Sequence, residues 1–403
     1  MIRRLGYRIL FGAGLAAVMA AGPAFGALAD EADTPQRLER LQDNRMEYDE
    51  LFDLVKNYYG PIRSGYATIE AVKSDNANSA VESQISASDL VAQANELVDE
   101  AKGGTAQEQA AAKAQASALR ASARSLRSQA FMTNQGLSSY DSQIRSLDRS
   151  TNGVVQGVES MMNQYEQLLS QRQAAAKAVE TAQKAAQVQQ VMESQGMAVS
   201  ADVLSAAAQL SQAQNQLSSL DDAIDQLHRM LCQFTGWSED GNPEIGPVPA
   251  ADVAAIASID VNSDKEKAVN NNYNLISMRS STGGGMTTVQ QHTTKTTTQK
   301  KNRIRNVEYS EDTVRSNIQT LYDTILEKKA LYDSAATAWQ GAQNTWNAVQ
   351  VQRQKGMLSD VQYLQQETAY LQAKSAMECA DLELQQAMRN YEWAVRGVEI
   401  AAE

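Results

Sequence analysis

The chain has 403 residues, of which 43% are hydrophobic and 6% aromatic, and it carries 48 acidic against 36 basic side chains. The formal net charge of −12 argues against nucleic acid as a partner, because phosphate backbones are bound by positively charged surfaces. The two cysteines, Cys232 and Cys379, are too few for a disulfide scaffold. We expect half-buried thiols on helices, with a disulfide in an oxidising compartment as the alternative.

Residues 1–29 have the features of a secretory signal peptide. Three arginines near the start precede an apolar run over residues 9–25, and Ala27-Leu28-Ala29 offers a small-x-small cleavage site. We interpret the segment as cleaved, with an uncleaved membrane anchor as the alternative. No other segment approaches the roughly 20 apolar residues of a spanning helix. We therefore expect an exported protein of the cell envelope, in the outer membrane or periplasm, or on the outer surface of a single-membrane host.

Residues 30–236 are predicted to form a first helical repeat that contains a helical insertion. A short amphipathic helix over residues 48–59 leads into a long Ala-, Ser- and Gln-rich stretch, with turns expected at Gly103-Gly104 and at Thr151-Asn152-Gly153. Beyond Gly196, apolar residues recur every seven residues, which predicts a coiled-coil seam. The a positions are Val203, Leu210, Leu217, Ile224 and Leu231, and the d positions are Ala206, Ala213, Leu220, Leu227 and Phe234.

Residues 237–260 contain three prolines and are predicted to be an extended connector, and residues 261–403 a second helical repeat. In this repeat, a leader helix over residues 267–275 is followed by a polar loop over residues 281–307. Long helices over residues 310–355 and 358–396 then form a hairpin with its own heptad seam. The a positions are Tyr363, Tyr370, Met377, Leu384 and Tyr391, and the d positions are Ala373, Ala380, Ala387 and Ala394.

The two repeats share a duplicated stretch. Residues 175–229 and 335–389 align at a constant offset of 160 without a gap, and 15 of the 55 paired positions are identical. The identities include Gly196/Gly356, Met197/Met357 and Arg229/Arg389. A duplication in a fixed frame predicts two equivalent structural units, each a long antiparallel helical hairpin.

Motifs for catalysis or metal binding are not found in the sequence. His228 and His292 are the only histidines. His228 lies on a heptad helix and is interpreted as a surface or seam residue rather than a ligand, and His292 has no carboxylate or cysteine neighbours at metal-ligand spacing. The sequence has no nucleophile elbow, dinucleotide fingerprint or phosphate-binding loop. We therefore expect no catalytic, cofactor-binding or metal site, and a protein that is not an enzyme.

The two hairpin turns carry a family resemblance. Gln195-Gly-Met-Ala-Val-Ser-Ala-Asp-Val-Leu204 resembles the repeat signature of the TolC-like outer membrane efflux family, with Asp202 at the acidic position six residues after the glycine. The second turn keeps Gly356, Ser359 and Leu364 but has Gln362 at the acidic position, with Asp360 two residues earlier. The resemblance covers roughly residues 48–397.

The resemblance implies that three chains form a homotrimer, in which each chain adds two hairpins to a hollow α-barrel. The turns would then be the tips that dock a periplasmic adaptor (a membrane-fusion protein) of an inner-membrane ABC or RND exporter. The implied docking residues are Gly196, Met197, Ser200, Gly356, Met357 and Ser359, and the implied entrance constriction is formed by Asp202 and Asp360. Ser200 and Ser359 are candidate helix caps. For Asp202, a simple interaction with the helix dipole is an equally good interpretation.

The sequence departs from the family where membrane strands would be expected. A lipid-facing strand needs about ten residues of alternating polarity, but residues 287–299 include a single apolar side chain, Val289, and the first repeat has its helical insertion instead. We therefore predict an all-α fold of long antiparallel coiled-coil hairpins in two tandem repeats, a TolC-like α-barrel protomer with little or no β-barrel.

The function expected from these features is that of an efflux or secretion channel component, an oligomeric helical conduit that docks an exporter's adaptor. The alternative is an exported coiled-coil structural or scaffold protein of the envelope without transport activity. The sequence does not identify a transported substrate.

Overall fold

A computed structural model describes residues 41, 43–238, 242–282 and 297–400. The predicted signal peptide lies outside the described residues, as does the central part of the predicted polar loop, residues 283–296. Strands in the described ranges are limited to β1 (Arg45–Met46) and β2 (Glu244–Ile245), which pair in parallel. Almost everything else is helical, so the prediction of an all-α fold is confirmed.

Nine α-helices carry the described chain, and two short 3-10 turns accompany them. The helices are α1 (Leu51–Tyr58), α2 (Gly60–Glu100), α3 (Ala106–Ser194), α4 (Ser200–Thr235), α5 (Val253–Ile256), α6 (Val261–Asn271), α7 (Tyr273–Thr282), α8 (Thr297–Gln354) and α9 (Asp360–Val395). They form three antiparallel hairpins. We call α2 with residues 106–150 of α3 the outer hairpin, the rest of α3 with α4 the first tip hairpin, and α8 with α9 the second tip hairpin.

Helix α3 is 89 residues long, about 130 Å at 1.5 Å per residue, and belongs to two of these hairpins. The turn predicted at Gly103-Gly104 is confirmed, and Thr105 caps α3 in a reciprocal capping box with Glu108. The turn predicted at Thr151-Asn152-Gly153 is wrong. Thr151 is buried within the helix and donates to the Leu147 carbonyl at 2.9 Å. A single glycine costs a helix only about 1 kcal/mol, which packing against neighbouring helices outweighs.

The outer hairpin has a seam of alanines at heptad spacing. Ala80, Ala87 and Ala94 of α2, and Ala116, Ala123 and Ala130 of α3, are each 0–1% exposed. Small side chains at these positions let the two helices approach closely. The polar pair Lys73 Nζ–Asp141 Oδ1, at 2.7 Å, also fixes the register of the hairpin.

The seams predicted for the two tip hairpins are confirmed, because every predicted a and d residue is buried or half-buried. The predicted helix and loop boundaries in the second repeat need correction. α8 begins at Thr297 rather than residue 310, and α7 continues to Thr282, so both ends of the predicted loop are helical. The lack of apolar residues suggested a loop there, but Gln and Lys have good intrinsic helix propensity.

The leader segments pack across the bases of the tip hairpins. One apolar cluster contains Leu51 and Leu54 of α1 with Met162, Leu231 and Trp393. A second contains Ile318, Ile325 and Leu384 with residues of α5 and α6. The predicted second leader is two helices that meet at Asn272, and the connector predicted as extended also contains β2 and α5. No helix among the described residues is both long and apolar enough to cross a membrane.

The two thiols lie on different helices and have separate neighbours. Cys232 is buried on α4, with its Sγ 3.8 Å from His228 Nδ1. Cys379 is half-buried on α9, with its Sγ 3.9 Å from the Gln167 carbonyl. Burial raises the pKa of both thiols, which keeps them protonated at neutral pH.

Candidate functional site: the two tips and the seam between hairpins

Both tip turns have the same backbone geometry. At the first tip, the N–H of Gly196 donates to the Glu193 carbonyl and that of Met197 to the Met192 carbonyl, at 2.9 and 2.8 Å. At the second tip, Gly356 and Met357 make the equivalent bonds, both at 3.0 Å. These are Schellman motifs, and they require the φ of +71° found at both glycines. The duplicated glycine therefore encodes a duplicated turn.

Different residues cap the helix that follows each turn. Ser359 accepts from the Gln362 N–H, and the Gln362 side chain accepts from the Ser359 N–H at 3.1 Å. Ser200 does not cap α4, because the N-cap position is Val199, and Ser200 is already the first helical residue. Asp202 accepts from the Val199 N–H at 3.2 Å instead. The Asp202 carboxylate therefore keeps one half of a capping box, and the Asp202 N–H bonds the Val199 carbonyl at 2.9 Å instead of a hydroxyl.

The second tip has an arginine latch that the first lacks. Arg353 binds Asp360 at 2.5 Å, donates to the Leu358 carbonyl at 3.2 Å, and lies 5.3 Å from the Tyr363 ring centroid. Glu193 occupies the repeat-equivalent position to Arg353 in the first tip. The structure thus brings Asp360 into contact with the second turn and Asp202 into contact with the first. A constriction formed by these residues stays a prediction, because it concerns neighbouring chains.

The predicted docking residues are all at the surface, and the tips also expose apolar side chains. Met197 and Met357 are 62% and 70% exposed. Val199 and Leu204 of the first tip are 63% and 72% exposed. Sequence reasoning named the two methionines but missed Val199 and Leu204. An apolar residue outside the a and d positions was the available signal for Leu204.

A polar seam holds the two tip hairpins side by side. Thr181 of α3 bonds Thr368 of α9 at 2.9 Å, and Asn163 donates to the Gln385 side chain at 2.7 Å. Thr181 lies 15 residues before Gly196, and Thr368 lies 12 residues after Gly356. Both tips therefore lie at the same end of the molecule and nearly level.

The base of this seam contains a buried ion pair. Arg389 binds Glu159 at 2.5 Å, and the Trp393 indole N–H donates to the same carboxylate at 2.8 Å. Burial alone would lower the pKa of Arg389, but the hydrogen bond and charge of Glu159 outweigh burial and raise it. Burial and the Glu159 charge also raise the pKa of the Tyr48 phenol. Both groups therefore stay protonated at neutral pH.

Two carboxylates hold the connector between the repeats. Glu166 of α3 accepts from the Val248 N–H at 2.6 Å, and Asp381 of α9 from the Ala251 N–H at 3.4 Å. They line a cavity of about 400 Å³ together with Glu378. Burial raises the pKa of both carboxyls, and nearby charges add to this for Glu166. No group of three or more possible metal-ligating side chains was found among the described residues.

No protein-family model matches the chain, and no curated protein matches it in sequence. Among solved structures, it is similar to the Campylobacter jejuni CmeC outer membrane channel, at 13% identity over 68% of each chain with a TM-score of 0.44. The outer-membrane channel OprN is 10% identical over 89% of this chain and 92% of its own, with a TM-score of 0.43. The outer membrane protein VceC from Vibrio cholerae is 11% identical over 66% and 76%, with a TM-score of 0.40. The turn motifs resemble the same class of protein.

Proposed function

We propose that this protein is a protomer of an oligomeric helical conduit in the cell envelope, that its two tips dock the adaptor of an export pump, and that it catalyses no reaction. The observation that carries the proposal is the side-by-side packing of α3 and α9. It joins the two repeats edge to edge and leaves α4 and α8 as the outer edges of the protomer.

The free edges are repeat equivalents of the edges that already pack together. α4 corresponds to α9 and α8 to α3, so a neighbouring copy can place its α8 against α4 as α3 packs against α9 within one chain. Leu326 and Leu331 of α8 are 43% and 48% exposed. They are the equivalents of Glu166 and Gln171, which face α9. The exposed edge is therefore more apolar than the edge already covered.

One polar contact of the covered seam also has its counterpart. Arg229 of α4 is exposed and is the repeat equivalent of Arg389. Its expected neighbour on α8 of the next copy is Gln319, the repeat equivalent of Glu159, so a hydrogen bond would take the place of the ion pair. Such a head-to-tail contact uses two different surfaces and closes into a ring when the rotation between copies allows it. A homotrimer would give a wall of six hairpins.

The proposed adaptor contact rests on the exposed apolar residues of the tips. Met197, Val199 and Met357 present exposed apolar side chains at the tip end of the molecule. Clustered exposed apolar residues mark interaction sites on soluble surfaces. Since both tips lie at one end, a ring of protomers would present all of them to the same partner.

The edge is tested by the double variant L326K/L331K in the mature chain, with the oligomeric state measured by native mass spectrometry. We expect at least a tenfold loss of the oligomer, because two lysines would have to be buried against α4 of the neighbour. The tip variant M197K/M357K is the matched control and should still form oligomers. A wild-type chain that remains monomeric at all concentrations would overturn the proposal of an oligomeric conduit.

Docking is tested separately by placing a photocrosslinking amino acid at Met357 in the host cell. The expected adduct is a periplasmic adaptor, identified by mass spectrometry, and the same label at the exposed Glu327 of α8 should not yield it. Oligomers that give no adaptor adduct from the tip would overturn the docking role and leave the oligomeric edge in place.

A further inference from the structure

The outer hairpin separates its charges by helix and by heptad position. On α2, the exposed acids Glu82, Asp89 and Glu96 each follow a seam alanine by two residues. On α3, the exposed bases Lys113, Arg120 and Arg127 each precede a seam alanine by three residues. A repeat of seven keeps each set on one line along its helix. The hairpin thus carries one acidic stripe and one basic stripe.

The two stripes lie on opposite faces of the hairpin. With the seam alanines at a, the acids occupy c and the bases occupy e. In an antiparallel pair, e positions flank e positions and share a face with b, whereas c lies on the other face beside g. The contact of Arg120 (e) with Asn95 (b), at 2.8 Å, agrees with this assignment. On the basic face, Arg124 (b) adds a fourth positive charge to the outer half.

The stripes also lie at matching heights. The Arg120–Asn95 bond and the Lys73–Asp141 ion pair fix the register between α2 and α3 along the hairpin. In this register Glu96 is level with Arg120, and Asp89 is level with Arg127, each to within one residue. Glu96 and Asp89 therefore each have a base at the same height on the opposite face, whereas Glu82 is level with Thr133 and Lys113 is level with Lys102.

The two stripes make few contacts within the chain. Within the described ranges, no ion pair joins Glu82, Asp89 or Glu96 to any base, and Arg120 bonds only the neutral Asn95.

Four apolar residues of the same hairpin are exposed at nearly the same height along its axis. Val81 and Ile85 of α2 are 53% and 56% exposed, and Phe131 and Met132 of α3 are 62% and 68% exposed. The register places all four within about one helical turn of each other along the axis.

We propose that a second copy of this chain covers each face, so that the basic stripe of one outer hairpin packs against the acidic stripe of the next. The inference rests on the oligomer proposed above and adds a second contact zone, at the end opposite the tips. Equal heights on opposite faces are what a closed ring needs, because copies related by rotation about an axis parallel to the hairpin have no shift along it. The exposed apolar level adds contact surface between the same neighbours.

The decisive experiment is a zero-length carbodiimide crosslink in the mature chain carrying R120K and R127K. The substitutions keep the positive charge and provide amines that can couple to Glu96 and Asp89. Mixing chains labelled with ¹⁴N and ¹⁵N shows whether a crosslinked peptide joins two copies. We expect mixed-isotope peptides linking position 120 to Glu96 and position 127 to Asp89. The control S125K adds a lysine at a similar height on the acidic face and should give no mixed-isotope peptide to Asp89.

Charge exchange provides the second arm. E82K/D89K/E96K makes both faces basic and removes every carboxylate of the acidic stripe, so the outer-hairpin crosslink between copies should be lost. Adding K113E/R120E/R127E to the same chain exchanges the two stripes and should restore the linkage, now between the introduced lysines and glutamates. A merely unstable hairpin would not be rescued by three further substitutions.

The outcomes separate this inference from the conduit proposal. Oligomers that are lost in L326K/L331K but never give the outer crosslink overturn the inference and leave the conduit standing. Outer crosslinks that persist in L326K/L331K support the inference alone. Binding of the basic stripe to phosphatidylglycerol vesicles without any crosslink between copies would overturn the second copy as the occupant and favour a lipid surface.

Discussion

At the scale of the residue, the four glycines with positive φ have different surroundings. At Gly196 and Gly356, a Cβ would have no neighbouring atom within 4 Å, so only backbone conformation demands glycine there. At Gly397, a Cβ would collide with the backbone of Asn271, where the end of α9 passes the leader helix α6. The glycines named from the sequence are therefore turn glycines, whereas Gly397 is a packing glycine.

Gly397→Ala should consequently destabilise the protein more than Gly356→Ala. Both variants place a side chain in the left-handed region, at about 1–2 kcal/mol. Only the first also displaces the backbone of a neighbouring segment. Denaturant unfolding of the two variants measures the difference, and equal midpoints would contradict the close approach at Gly397. The milder Gly356→Asn should lose less than Gly356→Ala, because Asn tolerates this conformation.

The raised pKa of Glu166 predicts the direction in which the stability of the protein changes with pH. Burial raises its pKa above the ordinary 4.5, so its contribution to stability is present below that value and is lost as the pH rises through the raised pKa. Glu166→Gln removes this loss and can still accept from Val248. We expect the stability of the variant relative to wild type, measured in urea titrations, to increase as the pH rises above 4.5.

Glu108→Gln gives the opposite trend and serves as the control for Glu166→Gln. Hydrogen bonds from Thr105 lower the Glu108 pKa, so its contribution is present above the ordinary value and is lost as the pH falls. The variant should be less stable than wild type at neutral pH, and this difference in stability should become smaller as the pH falls. Parallel pH curves for the two variants would contradict both assignments.

At the scale of the element, the main surprise is the continuity of α3. Thr151-Asn152-Gly153 has the composition of a turn, and local propensity favours one. Thr151 is nevertheless buried in contact with Tyr66, so the neighbouring helix α2 stabilises helical backbone at this position. Tertiary packing overrides local preference here, and a single sequence window does not contain that information.

Gly153→Ala tests this continuity directly. Gly153 is exposed and helical, and a Cβ added there would meet no atom within 4 Å. Alanine should raise the free energy of unfolding by about 0.5–1 kcal/mol, since glycine carries an entropic cost in a helix. A destabilised variant would indicate a bend or turn at this point. Gly157→Ala, one turn later and equally open in its surroundings, is the matched comparison.

At the scale of the whole molecule, the fixed repeat offset predicted the two hairpins, their seams and the glycine at each tip. It could not predict how the hairpins pack on each other. The Glu159–Arg389–Trp393 cluster joins segments far apart in the chain, and only the identity of Arg229 and Arg389 hinted at it. Asn163 stands among apolar neighbours because its amide satisfies a carbonyl and a side chain of α9, which periodicity cannot reveal.

The length of α3 connects the two ends of the molecule mechanically. One uninterrupted helix of 89 residues forms half of the outer hairpin and half of the first tip hairpin. A helix cannot lengthen without breaking its backbone hydrogen bonds, so an axial displacement at the first tip reaches the outer hairpin nearly undiminished over about 130 Å. The second tip is built on α8, which has 58 residues in the part of the chain that the structure describes. An axial displacement of the first tip is therefore carried further along the molecule than one of the second tip, although the two turns have the same geometry.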